Sequence, residues 1–168
     1  MAAAYTTIQW ADGPVMLDEF YYGRKDAASA QECGSTKEVS QSSYVANLQA
    51  KGFTEEEIVA LASVEGFNVT RDPEQARWSS FPKFDNFYYK QVLTNAQGVP
   101  LSQALNSSPA LMQHVQKFAE DNAAYHASFK KSFVKLCDLG SNPEKLVYVE
   151  EFLMDDPRGK LRFPDCYQ

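Results

Sequence analysis

A chain of 168 residues with 44% hydrophobic and 13% aromatic content is long enough for one globular domain with a sizeable core. Its formal net charge of −6, with no basic run or stripe, excludes sequence-independent nucleic-acid binding, because nothing would displace counterions from phosphates. The longest apolar runs, Ile58 to Ala62 and Leu146 to Val149, fall far short of the roughly 20 residues that span a bilayer, so any membrane contact is expected through a partner.

The segment up to Ser43 mixes turn residues with small polar ones and has no sustained period, which predicts a long irregular arm, residues 1–43. Its opening, MAAAYTTIQWADG, has neither the basic residues of a transit peptide nor the apolar core of a secretory signal, so no leader is expected within it. From Ser42 or Ser43, Tyr44, Val45 and Leu48 predict a short helix that ends at Gly52, a residue suited to the left-handed position after a helix. The next helix follows at once. Thr54 and Glu57 have the spacing of a capping box, Glu55, Glu56 and Glu57 fill the first turn where the helix dipole favours acids, and Ile58, Val59, Leu61 and Ala62 carry it to about Glu65.

After Pro100, Leu101 and Leu105 flank a short helical region of uncertain type. Ser108 and Pro109 then provide an N-cap with proline at the first helical position, and Leu111, Met112, Val115, Phe118 and Ala119 share one face. Asp121 is placed to cap a last helix in which Tyr125, Phe129, Phe133, Leu136 and Cys137 recur at spacings of three and four before Gly140. These two helices are expected to form a hairpin. The helical domain therefore spans 44–140, and a tail, 141–168, holds a candidate strand within KLVYVEEFLM and a turn-like DDPRGK.

Few side chains suggest a catalytic constellation. Cys33, Cys137 and Cys166 are far apart with no CxxC pair, which predicts free or partly buried thiols rather than a zinc or redox site. His114 and His126 lie on different helices without a second histidine one turn away, so both are read as surface or packing residues. Two sequon triplets, at Asn68 and Asn106, are of a kind that arises by chance. No metal site is expected.

One stretch carries more. GFTEEEIVALASVEGFN, followed by Arg77-Trp78-Ser79 and Phe84-Asp85-Asn86-Phe87-Tyr88-Tyr89, resembles the proximal half of the class I plant-type haem peroxidases, the family of ascorbate peroxidase and cytochrome c peroxidase. There an LSDQDIVAL-like helix runs into a GGH-T-LG motif whose histidine binds haem iron, and a PWT…FDNSYF segment follows. The resemblance extends to Gly13-Pro14 and Gly23-Arg24-Lys25-Asp26-Ala27 upstream, to Val99 through Pro109, which is similar to LPSDKALLSDP, and to the helix ending Leu136-Cys137-Asp138-Leu139-Gly140. It covers roughly residues 13–140, with several gaps.

In this register the iron-binding histidine falls on Glu65, the next threonine on Gly66, the tryptophan beside the histidine on Trp78, and the aspartate that orients the histidine on Ser102. The family's cation site is likewise reduced, since Gly66 has no hydroxyl, although Ser79 and Asp85 keep oxygens. The distal half, with its arginine and tryptophan-histidine pair, would precede residue 1, and a chain without it is expected. What the resemblance implies is a mainly α fold, the proximal-domain half of a peroxidase, with degenerate haem-site positions Glu65, Trp78 and Ser102, no catalytic residues and no bound cofactor.

The resulting expectation is a catalytically inactive, haem-free, ascorbate-peroxidase-like accessory subunit of a membrane-associated complex. By analogy, the host is a photosynthetic complex in the chloroplast, on either face of the thylakoid, with the mitochondrion as the alternative. Its contacts are expected through the arm, with Trp10, Phe20, Tyr21 and Tyr22, and the tail, with Phe163 and Tyr167, because aromatic residues are enriched at interface hot spots. Two other readings stand beside it: a haem-binding peroxidase completed by a separate distal-half chain, with Glu65 as ligand, and a small-molecule module using the vacated haem cavity.

Overall fold

The computed structural model describes residues 8, 11–16, 21–22, 29, 41–64, 83–95, 98–142 and 146–148, and within them the chain is mainly helical. A 3-10 turn, Gln41–Ser43, leads into α1, Tyr44–Ala50. Gly52 ends α1 as expected, with φ +81°. Its N–H donates to Gln49 O at 2.9 Å and that of Phe53 to Leu48 O at 3.1 Å, the paired bonds of a Schellman end. Helix α2, Glu55–Ala62, opens on the expected capping box, with Thr54 N–H donating to Glu57 Oε2 (2.9 Å) and Glu57 N–H to Thr54 Oγ1 (3.3 Å). Ser63 and Val64 continue it as a 3-10 turn.

Helix α3, Phe87–Leu93, arises from the FDNFYY motif and is not evident from periodicity alone: it has two turns, and Tyr88, Tyr89 and Val92 are buried. Helix α4, Ser102–Asn106, is the short element after Pro100. Helix α5, Pro109–Glu120, has proline at its start as predicted, but Ser108 sits in an extended conformation and its side chain caps nothing. Helix α6, Asn122–Asp138, is capped by Asp121, whose Oδ1 accepts from the N–H groups of Ala123 (2.8 Å) and Ala124 (3.0 Å).

The organising element is α2, where every residue from Glu57 to Ala62 is buried. It packs against α6 and α5, and α1 also touches it. The last two helices do meet, yet each is also docked on α2, which runs antiparallel to α6: Ser63 near the end of α2 meets Tyr125 at the start of α6, while Glu57 meets Lys135 near its end. Tyr125, Phe129 and Ser132 of α6 are buried, and Phe133 and Cys137 pack against the core, whereas Leu136, expected on the same face, is 37% exposed.

The described part of the 1–43 arm contributes Ile8, Ala11 and Met16 to the core. Phe84 N–H donates to Ala11 O at 2.6 Å, and Gly13 N–H to Ile8 O at 2.9 Å. Gly13 is needed for this turn, because a Cβ there would lie 2.7 Å from Ile8 O. Strand β1, Tyr21–Tyr22, pairs antiparallel with β2, Val147–Tyr148, with Tyr21 opposite Tyr148, so the candidate strand of the tail joins the arm.

Candidate functional site

The place to examine is the end of α2, which leads into residue 65, together with the turn that carries Ser102. Glu65 and Trp78 lie outside the described residues, as do Trp10, Phe20, Phe163, Tyr167, Cys33, Cys166, Gly66 and Ser79. Ser102 is the first residue of α4, half-buried, and is introduced by an unusual turn. Leu101 before it has φ +60° and is only 4% exposed, a left-handed conformation that leucine rarely adopts and that burial of its side chain offsets. Tyr88 secures this turn from below by donating its hydroxyl to Pro100 O at 2.7 Å.

At the end of α2, three tyrosines converge. The last carbonyls of a helix have no partner within it, and here Val59 and Ala60 are fully buried, so water cannot serve them. Each unmet carbonyl would cost about 1–3 kcal/mol. Tyr89 from α3 shares its one hydroxyl proton between Val59 O (3.0 Å) and Ala60 O (3.1 Å). Ser63 Oγ donates to Ala60 O (2.9 Å) and, its one proton being used, accepts from Tyr125 of α6 at 2.8 Å. Tyr44 of α1 donates to Ile58 O at 3.1 Å. Periodicity marked Tyr125 only as an apolar packing residue. The signal for more was available, since a buried tyrosine hydroxyl needs a partner.

Burial pushes both phenols up, Tyr89 well above the ordinary value of 10.0 and Tyr125 likewise. The folded state therefore holds these protons more tightly than the unfolded chain. Their contribution to stability is complete below about pH 10 and is lost above it, as the unfolded chain releases protons. In an alkaline titration followed at the tyrosinate band, Tyr89 and Tyr125 are expected to stay silent until the helix signal collapses. Ionisation of all nine tyrosines with the helices intact would overturn this.

The two histidines are packing residues. His126 Nε2–H donates to Phe84 O at 2.8 Å, which leaves the 3.4 Å approach of Asn122 Nδ2 to the same nitrogen without an acceptor. His114 lies half-buried on α5. Asp85 accepts from Phe87 N–H at 3.0 Å at the start of α3. Among the described residues no three His, Cys, Asp or Glu side chains could hold a metal ion, and Cys137 is half-buried.

A sequence model of the family described as peroxidase matches residues 1–121. The chain belongs to the peroxidase family. Among its relatives, the probable L-ascorbate peroxidase 3, peroxisomal, of Oryza sativa subsp. japonica is 26% identical over 88% of this chain and 53% of its own length. L-ascorbate peroxidase T, chloroplastic, of Arabidopsis thaliana is 26% identical over 86% of this chain and 42% of its own. L-ascorbate peroxidase 1, cytosolic, of Oryza sativa subsp. indica is 27% identical over 82% and 59%. The chain thus spans about half the length of the curated peroxidases it matches, and these carry the names of three different compartments. The mainly helical fold agrees with membership of the family.

Proposed function

We propose that this peroxidase-family chain is a catalytically silent, haem-free accessory subunit of a larger membrane-associated complex, with a photosynthetic complex of the chloroplast as its host. The observation that carries the reading is the donor set. A peroxidase needs a neutral imidazole on iron, oriented and made more basic by a carboxylate on its other nitrogen. In the register of the resemblance this chain offers the Glu65 carboxylate for the imidazole and the Ser102 hydroxyl for the carboxylate. The side chains that would hold haem therefore do not fit it. Nor do the histidines restore the site, because His126 is committed to the Phe84 carbonyl and His114 is on another helix. What the sequence retains is the frame around those positions.

Support for a protein host comes from the aromatic arm, of which Tyr21 is 38% exposed, and for the chloroplast from several relatives named as chloroplastic. No described helix is long and apolar enough to cross a membrane, so association would be through other chains. The test has two arms. Haemin titrated into the purified chain is expected to give no sharp Soret band, and a band displaced by Glu65→Gln overturns the haem-free reading. On native gels of solubilised plastid membranes the chain is expected at high mass, whereas a free monomer in the soluble fraction overturns the subunit reading.

A further inference from the structure

The convergence of hydroxyls on the end of α2 is more than a set of satisfied carbonyls. In the register that places Glu65 on the iron-binding histidine, Ser63 stands on the first glycine of the GGH motif, and Tyr89 on the phenylalanine that ends FDNSYF. Both hydroxyls are departures from those motifs, and both go to the same place. Tyr89 reaches the carbonyls of Val59 and Ala60, while Ser63 joins Ala60 to Tyr125. The two tyrosine rings pack edge to face, with centroids 5.1 Å apart, so α3 and α6 are held to each other as well as to α2. All three residues are buried, Tyr89 at 0% exposure, Tyr125 at 1% and Ser63 at 4%.

We infer that Tyr89, Tyr125 and Ser63 form a hydroxyl lock that fixes the end of α2 through this chain's own side chains, so that the segment leading into residue 65 keeps its conformation without any ligated group. The inference rests on the haem-free reading for its purpose, but not for its geometry. A glycine at position 63 could make neither bond, and a phenylalanine at 89 would leave the Val59 carbonyl without the hydroxyl it now accepts from in a dry interior. The lock spans elements far apart in sequence, since Ser63 and Tyr125 are 62 residues apart and Tyr89 and Val59 are 30 apart. It therefore forms only when three helices are already docked, and it ties the last turn of α2 to α3 and α6.

Amide hydrogen exchange on the full chain tests this. In Tyr89→Phe and Tyr125→Phe, which keep the rings, the amides of residues 61–64 are expected to exchange roughly tenfold faster than in the parent, while the slow amides of α5 change much less. Ser63→Ala touches no ring and is expected to give the same local pattern, which keeps the inference testable if a tyrosine variant fails to fold. Unchanged exchange at 61–64, or an acceleration spread evenly over α5 and α6, overturns the lock. Adding haemin to the parent separates the two readings. Extra protection at 61–64 would sink the haem-free function and leave the lock standing, and no extra protection alongside faster exchange in the variants supports both.

Discussion

Replacing Asn86 by aspartate is expected to lower stability by about 3 kcal/mol at neutral pH. Asn86 is 8% exposed, and its Nδ2 donates to two carbonyls at the end of α5, Phe118 O at 3.1 Å and Ala119 O at 2.9 Å. Its own N–H donates to Asn122 Oδ1 at 2.9 Å, so one residue closes the end of α5 and is held by the start of α6. An ionised aspartate has the same shape and no donor. Its oxygen would face two carbonyl oxygens in a buried site, whereas alanine merely leaves them unserved at a cost of about 2 kcal/mol. With a urea slope of about 2 kcal/mol per M, the midpoint for Asn86→Asp should fall by about 1.5 M. The deficit should shrink in acid, where the protonated carboxyl regains a donor. Equal stability of Asn86→Asp and the parent, or a worse result for alanine than for aspartate, would refute this account.

Lys135→Met is the second large effect, about 2 kcal/mol. Lys135 Nζ lies 2.6 Å from Glu57 Oε2 and 2.8 Å from Gly52 O, with the Phe53 ring centroid at 4.7 Å. Burial alone would raise the Glu57 pKa, but the hydrogen bond from Lys135 and the backbone bond from Thr54 outweigh it and hold it below its ordinary 4.5. Glu56 is also depressed, chiefly by its hydrogen bonds to Lys117 and Ser128. A depressed carboxylate stabilises the fold above the unfolded value and loses that contribution as pH falls through the folded one. Stability should therefore decline below about pH 4.5, and the gap between Lys135→Met and the parent should close there. Adding Glu57→Gln to Lys135→Met should recover most of the loss at neutral pH, because no unpaired buried charge remains. A gap that persists unchanged in acid would show that the pair is not its source. The neighbouring Lys117–Glu56 pair, with side chains 51% and 36% exposed, should contribute little by comparison.

Local rules account for the parts of this fold that sequence made visible. The Thr54-Glu57 box, Gly52, Pro109 and Asp121 each act within four residues, and each has its expected role at a helix end. Less visible were features set by distant partners. Helix α3 was hidden because its seven residues are too few to show a period, and its buried tyrosines are polar at the tip. Leu136 is exposed although it shares the spacing of the buried residues of α6, which periodicity within α6 could not reveal. At the candidate site, the expectation that Glu65 and Ser102 stand where the family has a histidine and an aspartate rests on the resemblance alone, while the Ser63–Tyr125 bond joins residues that no local pattern relates.

The central place of α2 also bears on how the chain is made. The side chains that cover it come from far downstream: Lys117 meets Glu56 across 61 residues, Ser128 meets Glu56 across 72, and Lys135 meets Glu57 across 78. During synthesis the most fully buried helix therefore leaves the ribosome long before its cover exists, and α1 alone cannot enclose it. Such an order favours folding once α6 has been made over stepwise folding from α2 onward, and it places the interval of greatest vulnerability to aggregation between the making of α2 and the completion of α6.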